Sequence, residues 1–148
     1  MEIRSATPND VPYIFDLIKE LALYEKAPEQ VTNTKENLHY DLFEAPICEA
    51  IVAEENDEIL GFALYYTSYS TWKGRCLYLE DFYVKENRRQ QGIGKLLFDE
   101  VVRIAKEKKV KRMDWQVLEW NQPGIQFYKK VHALLDAEWI NGRLFLDE

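Results

Sequence analysis

The sequence holds only two cysteines, six glycines and three serines in 148 residues, and it has no long apolar run and no surplus of positive charge. Each shortage excludes something. Cys48 and Cys76 are too few for the disulfide scaffold of a small secreted domain and are expected as reduced thiols. No stretch reaches the roughly 18 apolar residues that a bilayer span requires, and Met1-Glu2-Ile3-Arg4 carries no apolar leader, so a cytoplasmic protein without membrane association is expected. Lys and Arg number 19 against 26 Asp and Glu, a net charge of −7, which argues against a nucleic-acid partner and suits a cationic substrate better. His39, His132 and the two cysteines lack ligand spacing, so no metal is expected. Ser5, Ser68 and Ser70 form no nucleophile elbow, which points away from an acyl-enzyme.

Core material, in contrast, is plentiful, with 47% hydrophobic and 14% aromatic residues in a chain that fits one domain over residues 1–148. Glu2 to Ala6 reads as a strand, and Val11, Ile14, Phe15, Ile18, Leu21 and Ala22 form a helical stripe ending near Tyr24, with Asp10 as its expected cap. Thr32 to Glu44 reads as a weaker helix. Cys48–Glu54 and Ile59–Ser70 are expected strands around the polar turn Glu55-Asn56-Asp57-Glu58, and Cys76–Val84 is a third, interrupted by Glu80 and Asp81. A helix over about Gly92–Lys108 and a strand over Val110–Leu118 complete a βαβ crossover. A short helix from Asn121 to about Val131 and two strands around Asn141-Gly142 close the chain. The class is α+β.

Arg89-Gln90-Gln91-Gly92-Ile93-Gly94-Lys95 is the most informative segment, because two glycines opening a helix let a phosphate approach backbone N–H groups closely. A P-loop would need Gly at 89 and Ser or Thr at 96, where Arg89 and Leu96 stand; a dinucleotide fingerprint would need Gly at 97, where Leu97 stands. The remaining pattern, with Leu77-Tyr78-Leu79-Glu80-Asp81-Phe82-Tyr83-Val84 before it and Asn121-Gln122-Pro123-Gly124 after the next strand, resembles the GNAT family of N-acetyltransferases over nearly the whole chain. Leu17–Glu25 and Glu119-Trp120-Asn121 resemble most the diamine acetyltransferase group, which acts on spermidine, spermine or thialysine.

That resemblance implies a GNAT fold, a mixed central sheet with helices on both faces and a βαβ core that binds acetyl-CoA. It assigns Gln90, Gln91, Gly92, Ile93, Gly94 and Lys95, with Arg89, to the diphosphate, and Phe82, Tyr83 and Val84, on a bulged strand, to the pantetheine arm. Asn121, Gln122, Pro123 and Gly124 are further cofactor contacts. The amine site is assigned to Tyr24, Glu25, Glu80 and Asp81, edged by Asp114, Trp115 and Gln116, and a homodimer is implied. His132, where glycine is usual, and Ile140, where polyamine enzymes carry an acid, depart from the pattern.

The chemistry gives these residue types a purpose. A primary amine with a pKa of about 10.4 is neutral in only about one molecule in 2,500 at pH 7, a handicap of roughly 4.6 kcal/mol before attack on a thioester. Glu80 is the candidate base, directly or through one water, while Glu25 and Asp81 attract the cation and Tyr128 is the candidate acid at the departing sulfur. Each has a structural counterpart reading: Glu80 and Asp81 as a solvated strand end, and Tyr24 and Tyr128 as packing aromatics.

Overall fold

The structure, a computed structural model, describes residues 1–147. Its contacts divide the chain into two compact units, Met1–Trp115 and Gln116–Glu148. The first carries strands β1 (Glu2–Ser5), β2 (Glu49–Glu55), β3 (Glu58–Ser70), β4 (Gly74–Val84) and β5 (Met113–Asp114), with helices α1 (Val11–Tyr24), α2 (Lys35–His39) and α3 (Ile93–Glu107). The strands lie in the order β1-β2-β3-β4-β5, antiparallel except for the final β4–β5 pair, so the sheet is mixed and the fold α+β.

Strand alternation divides the apolar residues between the two faces. Ala50, Val52, Phe62, Leu64 and Tyr83 join Val11, Ile14, Phe15 and Leu17 of α1 and Leu38 of α2 in one core. The opposite face meets α3, as Phe82 does through its contact with Phe98, 6.0 Å between ring centres. Gly61 marks the closest approach there, since a Cβ would stand 2.7 Å from the Tyr83 carbonyl and 3.2 Å from Leu97 Cδ1.

Helix α1 begins at Val11 as the sequence indicates, but Asp10 does not cap it. Its buried carboxylate turns back to the Thr7 amide at 2.7 Å and to Arg4, 2.7 and 3.0 Å away. The expected Thr32–Glu44 helix is shorter. Thr34 Oγ1 accepts from the Asn37 amide at 3.1 Å to start α2, which passes at His39 into a wider π-type turn over Tyr40–Glu44. The expected Val110–Leu118 strand narrows to Met113–Asp114.

The second unit holds α4 (Gln122–Lys130), and no strand occurs among its described residues, in contrast to the pair expected around Asn141-Gly142. A two-stranded hairpin is marginal by itself, and Ile140 and Leu144 beside that turn are 96% and 84% exposed, so neither contributes burial that would hold one.

Candidate active site

The β3–β4 register shifts by one residue. Leu64 faces Asp81 and Tyr65 faces Leu79, leaving Glu80 as the extra residue of a β-bulge. Regular alternation would send Glu80 and Asp81 to opposite faces, and the bulge brings them to one. Tyr78 faces Tyr66, and Tyr66 shares its face with Leu64 and hence with Asp81. Tyr66 and Tyr78 stack with ring centres 5.4 Å apart, and Tyr66 Oη donates to Glu80 Oε1 at 3.3 Å. Sequence reading missed this tyrosine pair, although residues 78 and 80 lie two apart on one strand and would point to a shared face.

The same face receives the end of α1, where Glu25 feels the charge of Glu80. Burial, then Glu80, raises the Glu25 pKa. Burial, then Glu80 and Glu25, pushes Asp81 up to about 7. Burial and the Glu80 carboxylate lift Tyr66 to about 12, so its hydroxyl stays a donor. Three carboxylates from two distant segments thus form a negative patch with a group that titrates near neutrality. The arrangement can attract a cation and accept a proton from it.

The strand ends at Val84, three residues beyond Asp81, and a single 3-10 turn over Glu86–Arg88 leads into the glycine turn. Gln90 and Gly92 take left-handed backbone conformations, φ +63° and +83°, with Gln91 of ordinary hand between them. Such alternation curls successive N–H groups into a concavity for an anion, here at the start of α3. No side chain caps that helix. A Cβ at Gly92 would meet nothing within 4 Å, and one at Gly94 would touch only Phe82 Cζ and Val84 Cγ2 at ordinary distances of 3.5 and 3.8 Å. Packing therefore does not require Gly94 to lack a side chain, and the space beside Gly92 is open.

The charged side chains of the loop are engaged with the protein. Arg88 pairs with Glu55 and donates to Gln91 Oε1 at 3.0 Å, and Lys95 Nζ holds Asp99 at 2.6 Å. Arg89 Nε donates to the Val84 carbonyl at 3.1 Å. What the turn leaves to offer an anion is its backbone N–H groups and the helix dipole.

Other residues assigned from sequence have local partners. Asp114 pairs with Arg112 at 2.8 Å, and Trp115 packs edge-on against Phe98 of α3, 5.6 Å between ring centres. In the second unit, Gln116 Nε2 donates to Asn141 Oδ1 at 2.7 Å. Asn121 Oδ1 accepts from the Gly124 amide at 3.1 Å, capping α4 with Gln122 and Pro123 in its first turn. Tyr128 is buried, edge-on to Phe127 at 5.5 Å.

A bulged strand bearing acids, followed after one 3-10 turn by a glycine turn that opens a helix, is the arrangement on which a family match would turn. The profile of the acetyltransferase (GNAT) family matches residues 13–133. The chain belongs to this family. Among its GNAT relatives, thialysine N-epsilon-acetyltransferase of Bos taurus is 42% identical over 147 residues, covering 92% of this chain and 86% of that one. Spermidine/spermine N(1)-acetyltransferase-like protein 1 of Homo sapiens is 37% identical over 141 residues, covering 90% of this chain and 20% of that longer protein. Among solved structures, an aminoglycoside N-acetyltransferase in complex with CoA superposes with a TM-score of 0.75 at 18% identity, over 97% of this chain and 98% of that one, which shows a shared fold. The α+β GNAT fold and the N-acetyltransferase activity expected from sequence are thereby borne out.

Proposed function

We propose that the chain transfers acetyl from acetyl-CoA to a primary amine of a small cationic molecule, a diamine, polyamine or thialysine-like amino acid, by direct attack. The observation that carries this reading is the bulge, which aligns Glu80 and Asp81 on one face with Glu25, on the same strand that leads toward the diphosphate turn. The names of the thialysine and spermidine/spermine relatives support the substrate class.

Bound acetyl-CoA supplies an activated acetyl thioester. The amides of residues 90–95 hold its diphosphate, the β4 segment Phe82–Val84 orients its arm, and Asn121–Gly124 make further contacts. Glu25 and Asp81 attract the ammonium group. The Glu80–Asp81 pair takes its proton, with Glu80 steadied by Tyr66, so that neutral nitrogen meets the acetyl carbonyl. Tyr128 is the proposed acid at the thiol, and Tyr24, Asp114, Trp115 and Gln116 are proposed to border the amine. We read the chain as one cytoplasmic acetyltransferase domain acting as a homodimer. The 81% and 77% exposure of Trp72 and Trp139 supports an interface between copies, which sedimentation equilibrium would detect as twice 17.6 kDa. No helix of the described residues is long and apolar enough to cross a membrane.

The decisive measurement is thiol release from acetyl-CoA against spermidine, putrescine, thialysine, lysine and aminoglycosides. Stimulation by the small diamines or by thialysine is expected. Acetyl-CoA binding with no amine stimulating release would reduce the chain to an acyl-CoA-binding module. In the same assay Tyr128→Phe should lower kcat about 10- to 100-fold with acetyl-CoA affinity kept; unchanged turnover removes the residue from the acid role.

A further inference from the structure

Arg89 sits in the diphosphate turn, yet its guanidinium is committed inward. Nε donates to the Val84 carbonyl at 3.1 Å, and Cζ lies 4.9 Å from the ring centre of Tyr24 and 5.2 Å from that of Tyr83. Tyr83 Oη in turn donates to Glu20 Oε1 at 3.3 Å. One side chain therefore joins the turn, the end of β4 and the last turn of α1, and the residue after Tyr24 is Glu25 of the carboxylate patch. We propose that Arg89 is a positioning residue that couples the diphosphate turn to the amine site, so that each ligand binds better when the other is present.

This rests on the function proposed above. The neighbouring cations are held elsewhere, Arg88 by Glu55 and Lys95 by Asp99, so Arg89 is the basic residue of residues 88–95 that reaches α1. Its backbone also matters, because Gln90 immediately after it holds a left-handed conformation that a non-glycine residue adopts only under constraint. An anchored Arg89 supplies that constraint from one side. If Tyr24 shifts, the guanidinium shifts with it, and the amides of the turn lose their aim. Coupling of this kind is reciprocal, so filling the turn fixes Tyr24 and, through it, Glu25. A guanidinium can stack on a ring while donating in its plane, which a lysine cannot reproduce.

The test compares Tyr24→Leu, Tyr24→Phe, Arg89→Gln and Arg89→Lys. It reads CoA affinity by calorimetry without amine, amine KM in turnover, and hydrogen exchange of amides 90–95 in ligand-free protein. Tyr24→Leu lies outside the turn but should weaken CoA by about 3- to 30-fold, the range of a partly desolvated cation–π contact, and speed loop exchange. Arg89→Gln and Arg89→Lys should both raise the amine KM, while Tyr24→Phe, which keeps the ring under Arg89, should keep the parent's CoA affinity and loop exchange. Wild-type CoA affinity and loop exchange in Tyr24→Leu would overturn the proposal. So would an Arg89→Gln variant that loses CoA affinity alone, because that is how a plain phosphate ligand behaves. Melting temperatures identify any variant that fails to fold. Should the parent bind no CoA, the function proposed above fails, while faster exchange in Tyr24→Leu would still support the contact itself.

Discussion

At the scale of single residues, Asp81 has the most to say about chemistry. Burial and two neighbouring carboxylates raise it to about 7 from a reference of 3.8. Each unit is worth about 1.4 kcal/mol, so ionising Asp81 costs on the order of 4 kcal/mol more in the folded chain than in the unfolded one. The sign follows from linkage. A raised pKa means that the folded state binds the extra proton between pH 3.8 and about 7, so this stabilising contribution is complete below the lower value and lost as pH rises through the upper one. Asp81→Asn should therefore raise the melting temperature at pH 8 and change it little at pH 4, as scanning calorimetry would read. In turnover the parent should show kcat/KM for the amine rising through an apparent pKa near 7, a limb that the same substitution moves or abolishes. A limb unchanged in Asp81→Asn would transfer it to another group.

At the scale of elements, the helix ends share a device that composition hides. Helices α1, α3 and α4 each close with the paired bonds of a Schellman motif, Ala27 N to Ala22 O at 2.9 Å, Val110 N to Ala105 O at 3.2 Å and Ala133 N to Tyr128 O at 3.0 Å. The left-handed position is filled by Lys26, Lys109 and His132, with φ of +62°, +59° and +66°. Glycine is the usual choice there, which explains why His132 stands out against the family pattern. A basic side chain at a helix C-terminus interacts favourably with the dipole and offsets part of the left-handed strain. His132→Gly and Lys109→Gly should each stabilise the chain by about 0.5–1 kcal/mol in urea unfolding; a loss at either position would mean that the side chain outweighs the backbone strain. Strands β1 to β4 were legible from period and composition, and so was the Asn56-Asp57 turn, which takes left-handed φ of +51° and +63° as a tight hairpin requires. The strand expected over Val110–Leu118 shrinks to Met113–Asp114, and the pair expected around Asn141-Gly142 is absent among the described residues. The helix stops lacked glycine, and were therefore visible only as the place where apolar periodicity ran out.

At the scale of the whole molecule, the sequence made the glycine turn, the carboxylate pair and the crossover readable because each depends on residues close together in the chain. The bulge partner Tyr66, the approach of Glu25 to Asp81 and the Arg89–Tyr24 contact join segments 14 to 65 residues apart. Register decides these, and a single sequence does not encode register in its local pattern. Long-range ion pairing also sets acid tolerance. Asp10 is buried and held below the usual carboxylate range, chiefly by the Arg4 guanidinium, which also reaches Glu54 at 3.0 Å. A lowered carboxylate contributes stability above its reference of 3.8, lost as pH falls through its folded value. Arg4→Met should cost about 2–3 kcal/mol at pH 7, and less below pH 3, in denaturant titrations. An equal cost at both pH values would assign the effect to packing.

The extra residue in β4 has an evolutionary corollary. Deleting one position between Leu79 and Phe82 would restore regular pleating and leave Ala63 facing Phe82 as before, but it would remove one of the two acids that the bulge brings to a single face. Substrate preference in this scaffold can thus drift by exchanging side chains along the strand, whereas its length there is under a far stricter veto.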